Sequence, residues 1–210
     1  MVNEVQVIEE FFLASHAPQT IGRLSVITGV AGFCTLTLVI LAAAFGRSFG
    51  RFGDAMGAVT AVLSAGLGML LFPEHRALEP QLASIAFGLV VLGGFIAAFG
   101  SVLAATEAAS WFLAQLYVAA GSALIGSWLI MVNVAGDVAN TFPNRAVNIG
   151  ILAGAVMVLG LGAIPGILLS ANAERSAPWI SRYIGRAGYL GWFLLYPVWC
   201  IWFGVSRLPR

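Results

Sequence analysis

Five polar side chains recur at helical spacing in a chain that is otherwise mostly apolar. Asn133, Asp137, Asn140, Asn144 and Asn148 are separated by 4, 3, 4 and 4 residues. On one unbroken helix they would share a face and could line a polar path for a small solute or ion. In a loop, the same residue types would be ordinary turn formers.

A proline inside this segment favours the loop. Pro143 lacks the N–H that an interior helical position needs, and it biases Phe142 away from helical backbone. We therefore predict that the polar stripe divides into a helix end, a surface turn and a helix start. A transport site made of Glu107, Asp137, Asn140 and Asn144 then requires that the turn folds back into the membrane.

An aromatic stripe near the C-terminus could hold a cofactor. Trp192, Tyr196, Trp199 and Phe203 recur at helical spacing, with Trp202 beside them. A pigment, a quinone or a lipid could lie against such a face. We favour the simpler interpretation, an aromatic belt on a lipid-facing surface.

Histidine is the usual axial ligand of haem and chlorophyll, and the chain has two. His16 and His75 lie outside the apolar runs, and they cannot clamp one haem between them. We expect both in solvated loops, with His75 as a single axial ligand at the membrane edge as the alternative. The two cysteines lie in apolar runs, and we predict no metal site and no cofactor.

The acidic residues offer little for catalysis. No HExxH, GxSxG or glycine-rich phosphate loop is present. Asp54 and Glu107 come nearest to the hydrocarbon, and each can be placed at a helix start, with Thr106 as the N-cap before Glu107. We therefore expect no enzymatic activity.

Small residues mark helix-packing faces in two segments. They repeat every four residues at Gly53, Gly57, Ala61 and Ala65, and again at Gly150 and Gly154. Such faces let two helices approach closely, within the same chain or against a partner subunit. Pro165 is expected to kink the second of these segments.

The elements that must position these residues are transmembrane helices. Of 210 residues, 60% are hydrophobic and 9% are charged, so the chain has the balance of a polytopic membrane protein. We predict an all-α transmembrane bundle, a single integral membrane domain. Its six spans are at about 21–45, 54–72, 82–104, 110–132, 147–169 and 186–205.

Two short amphipathic segments are predicted to lie in the membrane interface. Residues 1–20 place Val5, Ile8 and Phe12 on one face, and PWISRYIGR (178–186) combines aromatic residues with arginines. The arginines divide equally between the two sides of the membrane. The cluster after the fifth span favours a cytoplasmic position for that loop, with both termini outside.

Charge excludes some functions. The net charge is +1, which gives no basic surface for nucleic acid. All ten cationic residues other than histidine are arginines, so no lysine can form a Schiff base.

The later half of the chain resembles small bacterial integral membrane proteins of six spans to which no activity is assigned. The resemblance is carried by ILAGAVMVLGLGAIPGILL (151–169) and GYLGWFLLYPVWCIWFGVSRL (188–208). It implies the topology and a bacterial origin, and no residue role. We therefore expect the protein in the bacterial inner membrane.

Three functions remain open. The leading hypothesis is a non-catalytic subunit or scaffold of a larger membrane complex. It is motivated by the missing catalytic motifs, the short loops, the small-residue faces and the aromatic surface. The alternatives are a small-solute or ion transporter or channel, and a protein that binds lipid, quinone or pigment. The expected partners are membrane lipids and other membrane protein subunits or further copies of the chain.

Overall fold

The computed structural model describes the backbone of residues 4–209 and the side chains of residues 18–209. The predicted all-α bundle is confirmed: within these residues, six helices are long and apolar enough to cross a membrane. We number them α1 (Glu4–Phe45), α2 (Arg47–Leu78), α3 (Pro80–Thr106), α4 (Trp111–Val138), α5 (Asn144–Leu168) and α6 (Trp179–Ser206). The protein is therefore an integral membrane protein by its architecture.

The helices extend past the predicted spans because charged residues do not by themselves end a helix. The predicted break between the first two helices, at 46–54, is a single residue in the structure. Gly46, with a φ of 99°, interrupts the helical backbone between them. The break at 72–81 reduces to Glu79, which is extended before Pro80. Asp54 consequently lies two turns inside α2, and its predicted position at a helix start is wrong.

The helices alternate in direction, so their ends fall on two faces of the bundle. We call the face with the start of the first span, Pro18, the proximal face, and the other the distal face. The turn at residues 139–143 is proximal. The connections at Gly46, residues 107–110 and residues 169–178 are distal.

Helix α4 is the central helix, with the largest buried share of the six spans. It packs against α3 and α5 through glycines at which the backbones touch. A Cβ atom on Gly121 would lie 2.4 Å from the Ala97 nitrogen of α3, and one on Gly154 of α5 would lie 2.6 Å from the Gly126 carbonyl oxygen. Small residues thus bring the helices together inside the chain.

The first and last helices close the bundle on its proximal half. A Cβ atom on Gly22 of α1 would meet the Gly204 carbonyl oxygen of α6 at 2.9 Å, and one on Gly32 would meet Pro197 Cγ at 2.6 Å. Ser25 Oγ also donates a hydrogen bond of 2.7 Å to the Cys200 carbonyl. These contacts seal α1 to α6 from the proximal face to about mid-membrane.

Two helices change their winding inside the membrane. In α5, the α-helix Asn144–Val158 tightens into the 3₁₀ segment Leu159–Ala163 immediately before Pro165. In α6, the π-helical segment Gly191–Leu195 precedes Pro197. Each proline lacks a donor, and the altered winding accommodates the missing bond.

Left-handed residues end three helices. Glu107 (φ 58°) follows α3, where its N–H reaches the Ala104 carbonyl at 3.2 Å and the Ala108 N–H reaches the Leu103 carbonyl at 3.1 Å. The prediction that Thr106 caps a helix starting at Glu107 is wrong. Thr106 is the last residue of α3, and the Ser110 side chain caps α4. Asn140 and Ser170 end α4 and α5 in the same way.

The predicted interfacial helices are not separate elements. The first is continuous with α1 along its backbone, and the side chains before Pro18, including the expected apolar face, lie outside the described residues. The second forms the first turns of α6, with Trp179 and Tyr183 exposed at the distal face. There it anchors a membrane-spanning helix.

Candidate functional site

A cavity of about 380 Å³ lies in the distal half of the bundle. Its walls come from α1, α2, α3, α4 and α6. Thr35, Val39 and Ala42 of α1 face Tyr189 and Phe193 of α6 across it. It lies distal to the seal between α1 and α6, where the two helices no longer touch at their glycines. Most of the wall is apolar, as in sites that hold small amphipathic molecules.

Asp54 is the buried acid in this wall. It is 9% exposed, and three glycines of α2, Gly50, Gly53 and Gly57, surround it on the cavity side. Because these positions carry no side chain, the carboxylate borders open space instead of packed atoms. The predicted packing residues Gly53 and Gly57 therefore also shape a cavity.

One oxygen of Asp54 is hydrogen-bonded inside the bundle. Gln115 Nε2 of α4 donates to Asp54 Oδ1 at 2.9 Å. Tyr189 of α6 donates its hydroxyl hydrogen to the Gln115 backbone carbonyl. These two bonds connect α2, α4 and α6 around the acid and fix its orientation.

Two further polar atoms of the site have no partner among the residues that the structure describes. Asp54 Oδ2 accepts no hydrogen bond there, and neither does the hydroxyl of Ser101, which is 3% exposed. Ser101 Oγ would lie 3.1 Å from a Cβ atom on Gly57, one turn from Asp54. Both residues line the cavity, so these two oxygen atoms are available to a ligand.

A vestibule with charged side chains in its wall joins Asp54 to the distal face. This second cavity, of about 190 Å³, shares Gly50, Asp54 and Trp111 with the first and adds Arg47, Arg51 and Glu107. Arg47 Nη2 lies 3.2 Å from Glu107 Oε2 in an exposed ion pair. Arg51 Nε donates to the Ala105 carbonyl at 2.9 Å, and its terminal nitrogens have no partner within the described part of the chain.

The charges of α2 indicate the depth of the site. No charged residue lies between Asp54 and Glu74, which are 20 residues apart. At about 1.5 Å per residue this stretch is about 30 Å long, the thickness of a bilayer hydrocarbon core. Asp54 therefore lies at the distal boundary between hydrocarbon and headgroups, and Arg47 and Arg51 lie in the headgroup layer.

The four predicted transport residues lie on opposite faces. Glu107 borders the distal vestibule, whereas Asp137, Asn140 and Asn144 are exposed around the proximal turn. The prediction of a helix-ending loop is confirmed: α4 ends at Val138 and α5 begins at Asn144. A polar path through this segment loses its geometric support.

Asn133, the first residue of the polar stripe, is fully buried instead. Its Nδ2 donates to the Leu129 carbonyl at 2.8 Å, and its Oδ1 accepts from Trp199 Nε1 at 3.1 Å. A Cβ atom on Gly150 would lie 2.3 Å from Asn133 Nδ2. The amide thus joins α4 to α6 and depends on the glycine of α5 for its space.

The expected solvated position of His75 is wrong. The ring is 7% exposed, and its nitrogens lie 2.9 Å from the Leu71 carbonyl oxygen and 3.2 Å from the Val132 carbonyl oxygen. Its edge contacts Phe142 from the proximal turn. Each nitrogen faces a backbone carbonyl oxygen, so the ring bridges α2 and α4 near the proximal face.

The aromatic stripe faces the core, and the lipid-facing interpretation is wrong. Trp192, Tyr196, Trp199 and Phe203 are each at most 2% exposed, whereas the adjacent Trp202 is 43% exposed. Their rings stack nearly parallel along α6 at centroid distances of 5.3, 6.0 and 4.9 Å. Of the four stripe residues, which were candidates for cofactor binding, Trp192 lines the cavity. Tyr196 and Trp199 pack behind it.

The remaining small-residue positions contact neighbours in the same chain. A Cβ atom on Gly94 of α3 would meet the Ala61 carbonyl oxygen at 2.9 Å and Ala65 Cβ at 3.0 Å. Gly154 packs on Gly126 of α4, as described above.

Sequence reasoning missed Gln115, Tyr189, Ser101 and Arg51. Their local patterns are those of any polar residue in a membrane helix, and only the fold brings them to Asp54. One signal was available, since the 20-residue interval from Asp54 to Glu74 matches the hydrocarbon thickness.

Comparison of the chain with protein families, curated proteins and solved structures finds no match.

Proposed function

We propose that the protein binds a lipid, or another amphipathic molecule of the membrane, in the distal cavity. The observation that carries this proposal is a carboxylate, 9% exposed, in the wall of a mainly apolar cavity of about 380 Å³. Such a cavity accommodates an apolar chain, and a few fixed polar groups orient the head. A charged vestibule leads from it to the headgroup layer.

The position of the cavity supports a ligand drawn from the bilayer. Its walls include α1 and α6, which face each other there without the glycine contacts that close them proximally. The residues of the headgroup layer, Arg47 and Arg51, lie beside the polar end of the cavity. An amphiphile can place its chain and head in matching surroundings without leaving the membrane.

The other sequence-based hypotheses have less support. A role as a non-catalytic subunit stays a prediction, but the small-residue faces that motivated it pack within the chain. Transport by residues 133–148 would need a polar path that their exposed turn does not provide. The bacterial inner membrane is our proposed location, on the resemblance of the later half.

The proposal is tested by filling the cavity. Ala42 of α1 lines it, whereas the next residue, Ala43, is exposed and does not. We expect the wild-type protein, extracted in mild detergent, to retain an amphiphile that mass spectrometry of the intact complex detects. Ala42→Trp should reduce the retained molecule by about tenfold or more, equivalent to about 1.4 kcal/mol.

Ala43→Trp is the matched control, with the same side chain one position away. It should retain the amphiphile at the wild-type level. If no molecule is retained by the wild type, or if both tryptophan variants behave alike, the cavity is not the binding site and the proposal fails.

A further inference from the structure

The geometry points to a zwitterionic headgroup as the ligand of the distal site, with a primary ammonium on Asp54 and a phosphate on Arg51. This inference rests on the proposed function and specifies its ligand class. The chemistry is that of a phosphoethanolamine lipid.

The ammonium position follows from the unpartnered acceptors. Asp54 Oδ2 and the Ser101 hydroxyl border the same cavity and have no hydrogen-bond partner among the described residues. A carboxylate buried in apolar surroundings requires both donors and opposite charge. A primary ammonium supplies three N–H donors and one positive charge, so it can satisfy both oxygen atoms.

The phosphate position follows from the arginines of the vestibule. Arg47 is engaged by Glu107, and Arg186 at the α6 wall donates to Glu174 at 2.9 Å. Arg51 binds a carbonyl through Nε alone, which leaves its Nη1 and Nη2 for a phosphate. Arginine offers such paired donors in a geometry that suits phosphate oxygens.

The two positions lie on one helix face and at one depth. Arg51 and Asp54 are three residues apart on α2, and both line the vestibule. The pair lies at the hydrocarbon boundary inferred from the charges of α2, where lipid headgroups are found.

The same geometry disfavours other headgroups. A trimethylammonium group carries the charge but has no N–H to donate to Asp54 Oδ2. A phosphoglycerol headgroup has hydroxyl donors but no cation, so the carboxylate would keep its charge without a counter-charge. We therefore expect an order of binding in which phosphatidylethanolamine exceeds both phosphatidylcholine and phosphatidylglycerol.

The experiment uses the full chain in nanodiscs of equal parts phosphatidylethanolamine, phosphatidylcholine and phosphatidylglycerol with identical acyl chains. Lipids that stay bound after release from the disc are identified by native mass spectrometry. The Ala42→Trp signal is subtracted to remove lipid held outside the cavity. For the wild type we expect phosphatidylethanolamine to exceed each of the others by about tenfold.

Variants separate the two halves of the headgroup. Asp54→Asn should bring the ratio of phosphatidylethanolamine to phosphatidylcholine close to one, because the counter-charge is gone. Arg51→Gln should lower the retention of all three lipids several-fold and leave that ratio unchanged. Glu79→Gln and Arg145→Gln, exposed positions on the proximal face, are the matched controls and should change neither quantity.

A second variant and a displacement measurement test the headgroup assignment independently of Asp54→Asn. Ser101→Ala keeps the charge of the site, and it should lower the ratio several-fold even if Asp54→Asn does not fold. Soluble phosphoethanolamine, which lacks chains for the apolar cavity, should not displace the lipid. If it does, the headgroup alone suffices and a lipid source is contradicted.

The two proposals fail in different ways. Lipid retained in the cavity without headgroup preference, or a preference that survives both Asp54→Asn and Ser101→Ala, overturns the zwitterionic headgroup and leaves amphiphile binding intact. Equal retention by the wild type and by Ala42→Trp removes the proposed function and this inference with it.

Discussion

At the scale of single residues, buried polar side chains connect the helices of this bundle. Asn133 joins α4 to α6 through Trp199, Tyr196 of α6 donates to Ser64 Oγ of α2 at 2.9 Å, and Gln115 bonds Asp54. In an apolar environment such bonds orient one helix against another, because the unpaired alternative is costly. The space for each group is supplied by small neighbours.

The first prediction concerns Gly150, which gives Asn133 its space. Gly150→Ala places Cβ 2.3–2.5 Å from three atoms of the Asn133 side chain, and we expect a loss of about 2 kcal/mol from overpacking. Thermal unfolding in detergent measures it. Gly88→Ala, where a Cβ would meet no atom within 4 Å, should be neutral or stabilising by about 0.5 kcal/mol.

If Asn133 is the obstacle, Asn133→Ala should cancel the additional cost of Gly150→Ala, as a double-mutant cycle reports. Additive costs in the double variant would contradict the assignment.

The second prediction concerns the ion pair that ties α6 to α2 at the proximal face. Arg207 binds both carboxylate oxygens of Glu74, at 3.0 and 3.1 Å, and its guanidinium lies 5.3 and 5.1 Å from the ring centres of Phe142 and Phe203. Arg207→Ala should cost about 2 kcal/mol in unfolding free energy, because bidentate bonding and ring contacts are lost together.

The pair between Arg47 and Glu107 is the natural comparison. Arg47 is 80% exposed in its side chain, against 16% for Arg207, so Arg47→Ala should cost less than about 0.5 kcal/mol. Equal destabilisation by the two alanine variants would show that burial and ring contacts add nothing at Arg207.

At the scale of helices, α5 and α6 depend on backbone contact. A Cβ atom on Gly188 of α6 would lie 2.8 Å from the Gly160 nitrogen and 3.1 Å from the Met157 carbonyl oxygen. Gly160 lies in the 3₁₀ segment of α5, and Gly188 lies just before the π-helical segment of α6. The two helices thus meet where both depart from regular winding.

The third prediction follows from that contact. Gly188→Ala should destabilise the bundle by about 3 kcal/mol, since the obstructing atoms are backbone and cannot rotate away. Gly66→Ala, where the nearest atom is Leu24 Cδ2 at 3.7 Å, is the matched control and should stay near wild type. Unfolding in a denaturing detergent titration compares them, and similar midpoints would refute close backbone packing between α5 and α6.

The helices were predictable and their ends were not, for a physical reason. An apolar run long enough to cross the hydrocarbon core identifies a transmembrane helix, so composition alone predicts all six spans. Helix ends depend instead on residues whose backbone cannot continue a helix. Helix α2 therefore begins directly after Gly46 and includes Arg47, Arg51 and Asp54 in its first turns. Pro143 is such a residue, and it correctly predicts the proximal turn between α4 and α5.

The site itself was only partly accessible to sequence reasoning. Asp54 was recognised as a membrane-adjacent acid, but Gln115 and Tyr189 reach it from 61 and 135 positions away along the chain. The face of the aromatic stripe was misjudged, because its residues have the same amphipathic character in a lipid belt as in a core that offers Ser64 and Asn133 as partners.

At the scale of the whole molecule, the alternation of six helices sets the fourth prediction. The start of the first span and the end of the last are both proximal, and the 169–178 connection is distal. With the arginine-rich distal connection in the cytoplasm, a reporter inserted after Asn172 should be cytoplasmic and one fused after Pro209 should be external. Alkaline phosphatase and fluorescent-protein fusions distinguish the two sides.

If the reporter after Asn172 is external and the one after Pro209 is cytoplasmic, the predicted orientation in the membrane is reversed and the fold is unchanged. Reporters on the same side at both positions would contradict the single membrane crossing by α6 that separates them.

The seal between α1 and α6 makes the molecule unequal towards the two halves of the bilayer. Gly22, Gly29 and Gly32 form this seal in the proximal half, and the cavity lies in the distal half. A ligand that enters between α1 and α6 in the distal half would come from the distal leaflet alone. Since the two leaflets of a membrane differ in composition, the orientation of the protein in the bilayer would decide which lipids reach its cavity. The opposite orientation would expose the same site to different lipids.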